Sequence, residues 1–165
     1  MSLHDALKAI EAWPLSEEIQ VSSWMFPAIE TAHVVAITLV FGTVLIVDLR
    51  VLGLASGRRP VTALSHEVLP WTWAAFILAA ISGGLMFISK ADGYFFNLQF
   101  LLKMCLLLAA GLNMALFHIG PFQGVADWDE KTVAPARARL ACALSLGIWL
   151  GVVTLGRWIG FTLTR

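Results

Sequence analysis

Residues Val68 to Ser89 run for 22 positions without one charged side chain, bounded by Glu67 and Lys90. A helix climbs ~1.5 Å per residue, and ~20 apolar residues cover the hydrocarbon layer of a bilayer. A stretch of this length and purity therefore predicts a transmembrane helix. Three more apolar runs accompany it, giving expected spans at about 27–47, 68–89, 98–119 and 139–161.

Composition agrees. Charged residues make up 13% and apolar residues 59% of the 165, against roughly a quarter and a half in soluble domains. Formal net charge is zero, from 11 basic and 11 acidic residues, which argues against nucleic-acid binding. The first 20 residues hold Asp5, Lys8, Glu11, Glu17 and Glu18 and no apolar core of a signal peptide. The first span is then expected to direct insertion.

Residues 2–13 place Leu3, Ala6, Leu7, Ile10 and Trp13 on one helical face, the pattern of an amphipathic helix lying in the membrane interface. Pro14 ends it, and Ser16 with Glu17 and Glu18 marks a new helix start. Trp24, Trp71, Trp73, Trp128 and Trp158 fall near span ends, where indoles prefer to sit. Gly147 with Gly151, Gly156 with Gly160, Ala79 with Gly83 and Ala80 with Gly84 have the small-xxx-small spacing that lets helix backbones approach. The expected fold is all-α: a four-helix transmembrane bundle behind a short interfacial helix, one membrane domain over 1–165.

Four spans leave both termini on one face. The face with the first and third connections carries Arg50, Arg58, Arg59, Lys131, Arg137 and Arg139; the other carries Lys8, Lys90, Lys103, Arg157 and Arg165. With Lys103 and Arg157 set aside as lying within spans, the positive-inside tendency puts the termini outside.

Alternating helix direction then sorts polar groups by depth. The terminus-bearing side collects Glu30, His33, Met86, Lys103, Met104, Cys105 and Arg157. The opposite side collects Asp48, Arg50, His66, Met114, His118 and Cys142. Lys103 and His118 lie 15 residues apart on one helix, ~22 Å of rise. Cys105 and Cys142 therefore belong to opposite leaflets and should not pair, since a disulfide needs alpha-carbons within ~7 Å.

Ionisable groups at membrane depth are functional candidates by default. His33 is a candidate axial ligand to a b-type haem, with Glu30 three residues earlier orienting its ring and Lys103 and Arg157 meeting the propionates. The bland alternative is a neutral imidazole bonded to Glu30 or a carbonyl. His66 and His118 share the opposite face and could ligate a second haem or simply touch water. His33 and His118 are too far apart in depth to share one iron. His4 is expected to face solvent. A copper site from Met86, Met104, Cys105 and His33 is the weaker metal reading, because adjacent Met104 and Cys105 point ~100° apart. Motifs of soluble enzymes, such as a phosphate-binding glycine loop, H-E-x-x-H or G-x-S-x-G, are absent from the sequence.

Several strings carry a resemblance: Glu30-Thr-Ala-His33, Asp48-Leu-Arg50-Val-Leu-Gly53, Leu69-Pro-Trp-Thr-Trp-Ala74, Leu102-Lys103 with Asn113 and Phe117-His118, and LSLGIWLGVVTLGRWIGF. Over nearly the whole chain they resemble a family of uncharacterised bacterial four-span membrane proteins, which implies the bacterial inner membrane. More distantly, His33 and Lys103 are similar to positions in HemJ-type protoporphyrinogen oxidases and CopD-type copper-resistance proteins. In the oxidases those positions go with a b-type haem and porphyrin chemistry. The expected function is b-type haem electron transfer between the quinone pool or a partner protein and an acceptor at the membrane surface. A non-catalytic accessory subunit of a larger membrane complex and a HemJ-like oxidase are the alternatives.

Overall fold

The computed structural model describes residues 2–130 and 133–163. Lys131 and Arg165, which entered the charge count above, lie outside the described residues. Among the described residues seven α-helices and one 3-10 segment follow each other: α1 (Leu3–Glu11), α2 (Pro14–Val21), α3 (Met25–Val51), α4 (Val61–Ser89), α5 (Ala91–Phe95), α6 (Leu98–Ile119), the 3-10 turn Pro121–Asp127, and α7 (Ala136–Thr162). Helices α3, α4, α6 and α7 are long and apolar enough to cross a bilayer, with mean hydropathies of 2.2, 1.8, 2.0 and 1.8. The chain is a multi-pass membrane protein.

The interfacial helix is shorter than its amphipathic pattern and begins with a capping box. Asp5 N–H donates to Ser2 Oγ at 3.2 Å, and Ser2 N–H donates to Asp5 Oδ2 at 2.7 Å. Pro14 occupies the first turn of α2, where its missing N–H has no bond to make. Fully buried Ser16 donates to Ile88 O at 2.8 Å, pinning α2 to the end of α4. His4, 60% exposed, sets Nδ1 2.7 Å from Asp92 Oδ1, an ion pair when the imidazole is protonated, and Glu11 Oε1 accepts from Asp92 N–H at 3.0 Å. The N-terminal helices thus lie across the α4–α5 corner.

Helix α4 starts seven residues earlier than its uncharged run. Val61–Glu67 is helical because Pro60 sets the entry and because Asp129, 67 residues on from Thr62, supplies the missing cap. Thr62 N–H donates to Asp129 Oδ1 at 2.8 Å and Thr62 Oγ1 to Oδ2 at 2.6 Å. Arg50, fully buried, donates from Nε to Arg59 O at 2.6 Å and from Nη2 to Asp129 O at 3.0 Å. One guanidinium at the end of α3 so ties both connections on that side together. Pro70 lies within α4 without ending it.

Helix α3 packs along α4 and α7, and α6 lies along α7, whereas α4 and α6 scarcely touch. The order α4–α3–α7–α6 forms an arc whose two ends leave a seam. Val40, Ala75, Trp149 and Val152 fill its middle; Val51, Val61, Trp128, Ala134, Ala138 and Cys142 fill the end nearest the Arg50 tie. Glycines act where contact is closest. A Cβ on Gly151 would sit 2.7 Å from Leu106 Cδ1, and one on Gly83 3.0 Å from the His33 ring. By the same measure Gly84, Gly147 and Gly160 face open space. Helix α6 buries no residue among those described, so it leans on α7 with most of its surface turned outward.

Candidate functional site: a lateral cleft between α4 and α6

The seam encloses a cavity of about 530 Å³ walled by all four long helices, within the 300–1,000 Å³ range of small-molecule sites. Its walls are mostly apolar and rich in flat rings: Trp73, Phe76, Phe117, Phe122 and Trp149. Trp73 and Phe76 meet edge to face, with centroids 6.0 Å apart. Because α4 and α6 scarcely pack on each other, no helix–helix contact closes the cavity on that side.

Most polar groups gather at one end, while the Thr43 and Thr72 hydroxyls, 2.9 Å apart, lie further along the helices. Asp48 from α3, His66 from α4, Asn113 and His118 from α6, and Ser145 from α7 all line the cavity. Asp48 is only 7% exposed, and its Oδ2 is buried with no hydrogen-bond partner. Ser145 and Cys142 lie beside its carboxyl. Asn113 is held by its Nδ2, which donates to Ala141 O at 2.9 Å. Ser145 and Cys142 bond the Asp48 carboxyl in part, and Oδ2 is the oxygen left available.

The state of His118 follows from its partner. Its Nδ1 lies 2.9 Å from Met114 O, and a carbonyl can only accept, so Nδ1 carries the proton. In the neutral ring Nε2 is then the nitrogen with the free lone pair. The ring is exposed and lies against Phe117 and Phe122. His66, also exposed, lines the same cavity from α4. The structure therefore brings His66 and His118 to one site.

His33 stands apart. It is half-buried in the other half of α3, with Nδ1 3.0 Å from Ser82 Oγ. Ser82 donates its own proton to Leu78 O at 2.7 Å, which suits the tautomer with His33 Nδ1–H as donor; the Ala79 carbonyl also accepts from this ring, and in that neutral tautomer Nε2 carries the lone pair. Ser82, not Glu30, fixes this ring. Glu30 is exposed and near α5: burial first, and then the Glu30 carboxylate, push the Tyr94 phenol up to about 12. Lys103 is half-buried, its Nζ 3.5 Å from where Gly156 would carry a Cβ, and it is close enough to act electrostatically on His33. Arg157 is exposed, its guanidinium 4.9 Å from the Phe161 ring centroid. Of the residues expected around His33, the structure brings in Lys103 and turns Glu30 and Arg157 outward.

Cys105 and Cys142 are both free. Among the described residues no three or more His, Cys, Asp or Glu side chains are placed to hold one metal ion together; an axial haem ligand needs only one imidazole. Sequence reasoning placed Asp48 at the correct depth without treating it as a site residue, and it missed Ser82. Coincident depth of Asp48, Asn113 and Ser145 on three spans was the available signal for the cleft.

Fold and site together define a class: a four-span helical bundle of the membrane with a ring-lined lateral cavity and a polar end. A family model described as a family of unknown function (DUF6644) matches residues 25–162, and the chain belongs to that family. No curated protein and no solved structure matches the chain. The family match carries no activity with it and lends no support to the HemJ-type or CopD-type likeness.

Proposed function

We propose that this protein is an electron-transfer protein of the bacterial inner membrane, with both termini on the periplasmic side, that meets the quinone pool in the α4/α6 cleft. The observation that supports it is the cleft itself, lined by flat rings, left without close helix packing between α4 and α6, and with most of its hydrogen-bonding groups toward one end. A lipid-soluble ring with polar substituents fits that asymmetry. Such ligands reach their sites through the bilayer, where α4 and α6 part.

A b-type haem is the redox partner this reading names. On donor chemistry His33 fits a single axial ligand: Ser82 holds Nδ1 and thereby the ring orientation, and the Nδ1–H tautomer offers its Nε2 lone pair. Lys103 would supply positive charge nearby. When bound, such a haem supplies one-electron chemistry whose potential the axial ligand and surrounding dielectric set. A haem held by His66 and His118 would instead fill the cleft. Asp48 argues against that assignment, because a haem presents carbon and carboxylate to its surroundings and no donor to a bare carboxyl oxygen.

The test is spectroscopic. Protein purified in detergent from haem-replete cells is expected to give a reducible b-type spectrum and a pyridine haemochrome. His33→Ala should remove it, and His66→Ala with His118→Ala should leave it. A colourless wild-type protein would overturn the haem assignment and favour a non-catalytic subunit. Loss only in the His66 and His118 variants would move the haem into the cleft.

A further inference from the structure

We propose that the cleft selects the reduced, hydroxyl-bearing form of its ring, a hydroquinone, and that Asp48 Oδ2 is the acceptor that makes the selection. This rests on the reading of the cleft as a quinone site and adds which form of the ligand it favours.

Asp48 bears an uncompensated desolvation. A carboxyl oxygen removed from water without a hydrogen bond is among the more expensive arrangements a fold can retain. Asp48 is more than nine-tenths buried, and its Oδ2 has no partner. The residue lines the cavity, so a ligand there can reach it. The nearest guanidinium in sequence does not relieve it: Arg50 is two residues on, about 200° around the helix, and donates to Arg59 O and Asp129 O. What the site lacks is therefore a donor.

The other walls narrow the donor's class. Aromatic residues flank the space, which favours a flat ring over a branched chain. His118 Nε2, bare by the tautomer argument above, is a second acceptor at the same end. Two acceptors and an aromatic enclosure match a ring with two hydroxyl groups. The oxidised quinone, which has only carbonyl acceptors, would set oxygen against oxygen at Asp48. A bond to a charged acceptor is worth more than a neutral one, so the preference for the reduced form should be roughly tenfold or greater. No bond is made or broken in this step; it is binding alone.

Isothermal titration calorimetry tests it on the full chain in detergent at pH 8 under argon. The probes are a short-chain hydroquinone, its quinone and its dimethyl ether. Wild type should bind the hydroquinone about tenfold more tightly than either of the other two. Asp48→Leu should erase that difference while keeping quinone affinity within about twofold. The dimethyl ether has the same ring without donors, so it tests the claim on unaltered protein even if Asp48→Leu fails to fold. Equal affinities for all three probes in wild type would overturn the role of Asp48 and leave the cleft reading standing. No binding of any probe would overturn both. A preference that survives in Asp48→Leu would also overturn the assignment to Asp48.

Discussion

Replacing Asp129 with Ala should unfasten the start of α4, and the size of the loss follows from three contacts. The carboxylate accepts from Thr62 N–H at 2.8 Å and from Thr62 Oγ1 at 2.6 Å, as an N-cap does, although it lies outside the helix it caps. A lost cap alone costs about 1 kcal/mol, and a buried bond to a charged acceptor about 1.5–3. Asp129 is partly exposed, so solvent screening reduces those figures by about half. Its carbonyl bond to Arg50 belongs to the backbone and survives the substitution. The expected loss is about 2 kcal/mol, read as a lower midpoint when the protein in mild micelles is unfolded with a denaturing detergent and followed by circular dichroism. Asp129→Asn keeps an acceptor for Thr62 N–H and should lose less than half as much. The pH dependence has a definite sign. Burial raises this carboxyl, but the bonds from Thr62, the Val61 amide and the Arg50 charge outweigh it and hold it below the usual carboxylate range. A group held low in the fold stabilises above its unfolded value of about 4 and loses that contribution as pH falls through its folded value. Wild type should therefore weaken below about pH 4 more steeply than Asp129→Ala. An alanine variant within about 0.5 kcal/mol of wild type, or one with the same acid slope, would refute the capping account.

Ser82→Ala frees His33 Nδ1 without touching the backbone, so in haem-loaded protein the b-type bands should shift or weaken; spectra identical to wild type would mean Ser82 orients nothing. Gly151→Ala puts a methyl 2.7 Å from Leu106 Cδ1, and the flexible leucine can yield, so a loss of about 1 kcal/mol is expected from detergent unfolding. Gly147→Ala meets nothing within 4 Å and serves as its neutral control. Asn113→Leu leaves Ala141 O without its side-chain donor and should lower stability by about 1–2 kcal/mol; a stabilised variant would contradict that accounting.

The spans were legible because length and charge decide them. The third is bounded at 98–119 in sequence and in structure alike. Helix α4 was read short because its first turns, Val61–Glu67, carry polar and charged residues, and the carboxylate that caps them is remote in sequence. Depth was also legible, since alternating direction alone put His66, His118 and Asp48 at one end. Side-chain direction was not. Glu30 has the right spacing to meet His33 along one helix, yet Ser82 on a neighbouring helix makes the bond, and no periodicity within α3 could announce it. The cleft was invisible for a similar reason: it exists because α4 and α6 fail to meet, and sequence patterns record what packs far better than what does not.

That failure to meet has a consequence for measurement. Because the fourth and sixth helices scarcely pack on each other, acyl tails of a surrounding bilayer would reach the seam, and an occupant would then displace a tail and not water. Apparent affinity should then depend on the host bilayer: bulky, unsaturated or sterol-like lipids that fill the slot poorly would leave it easier to occupy. Values taken in short-chain detergent and in native-like membranes would differ for that reason alone, with the protein unchanged.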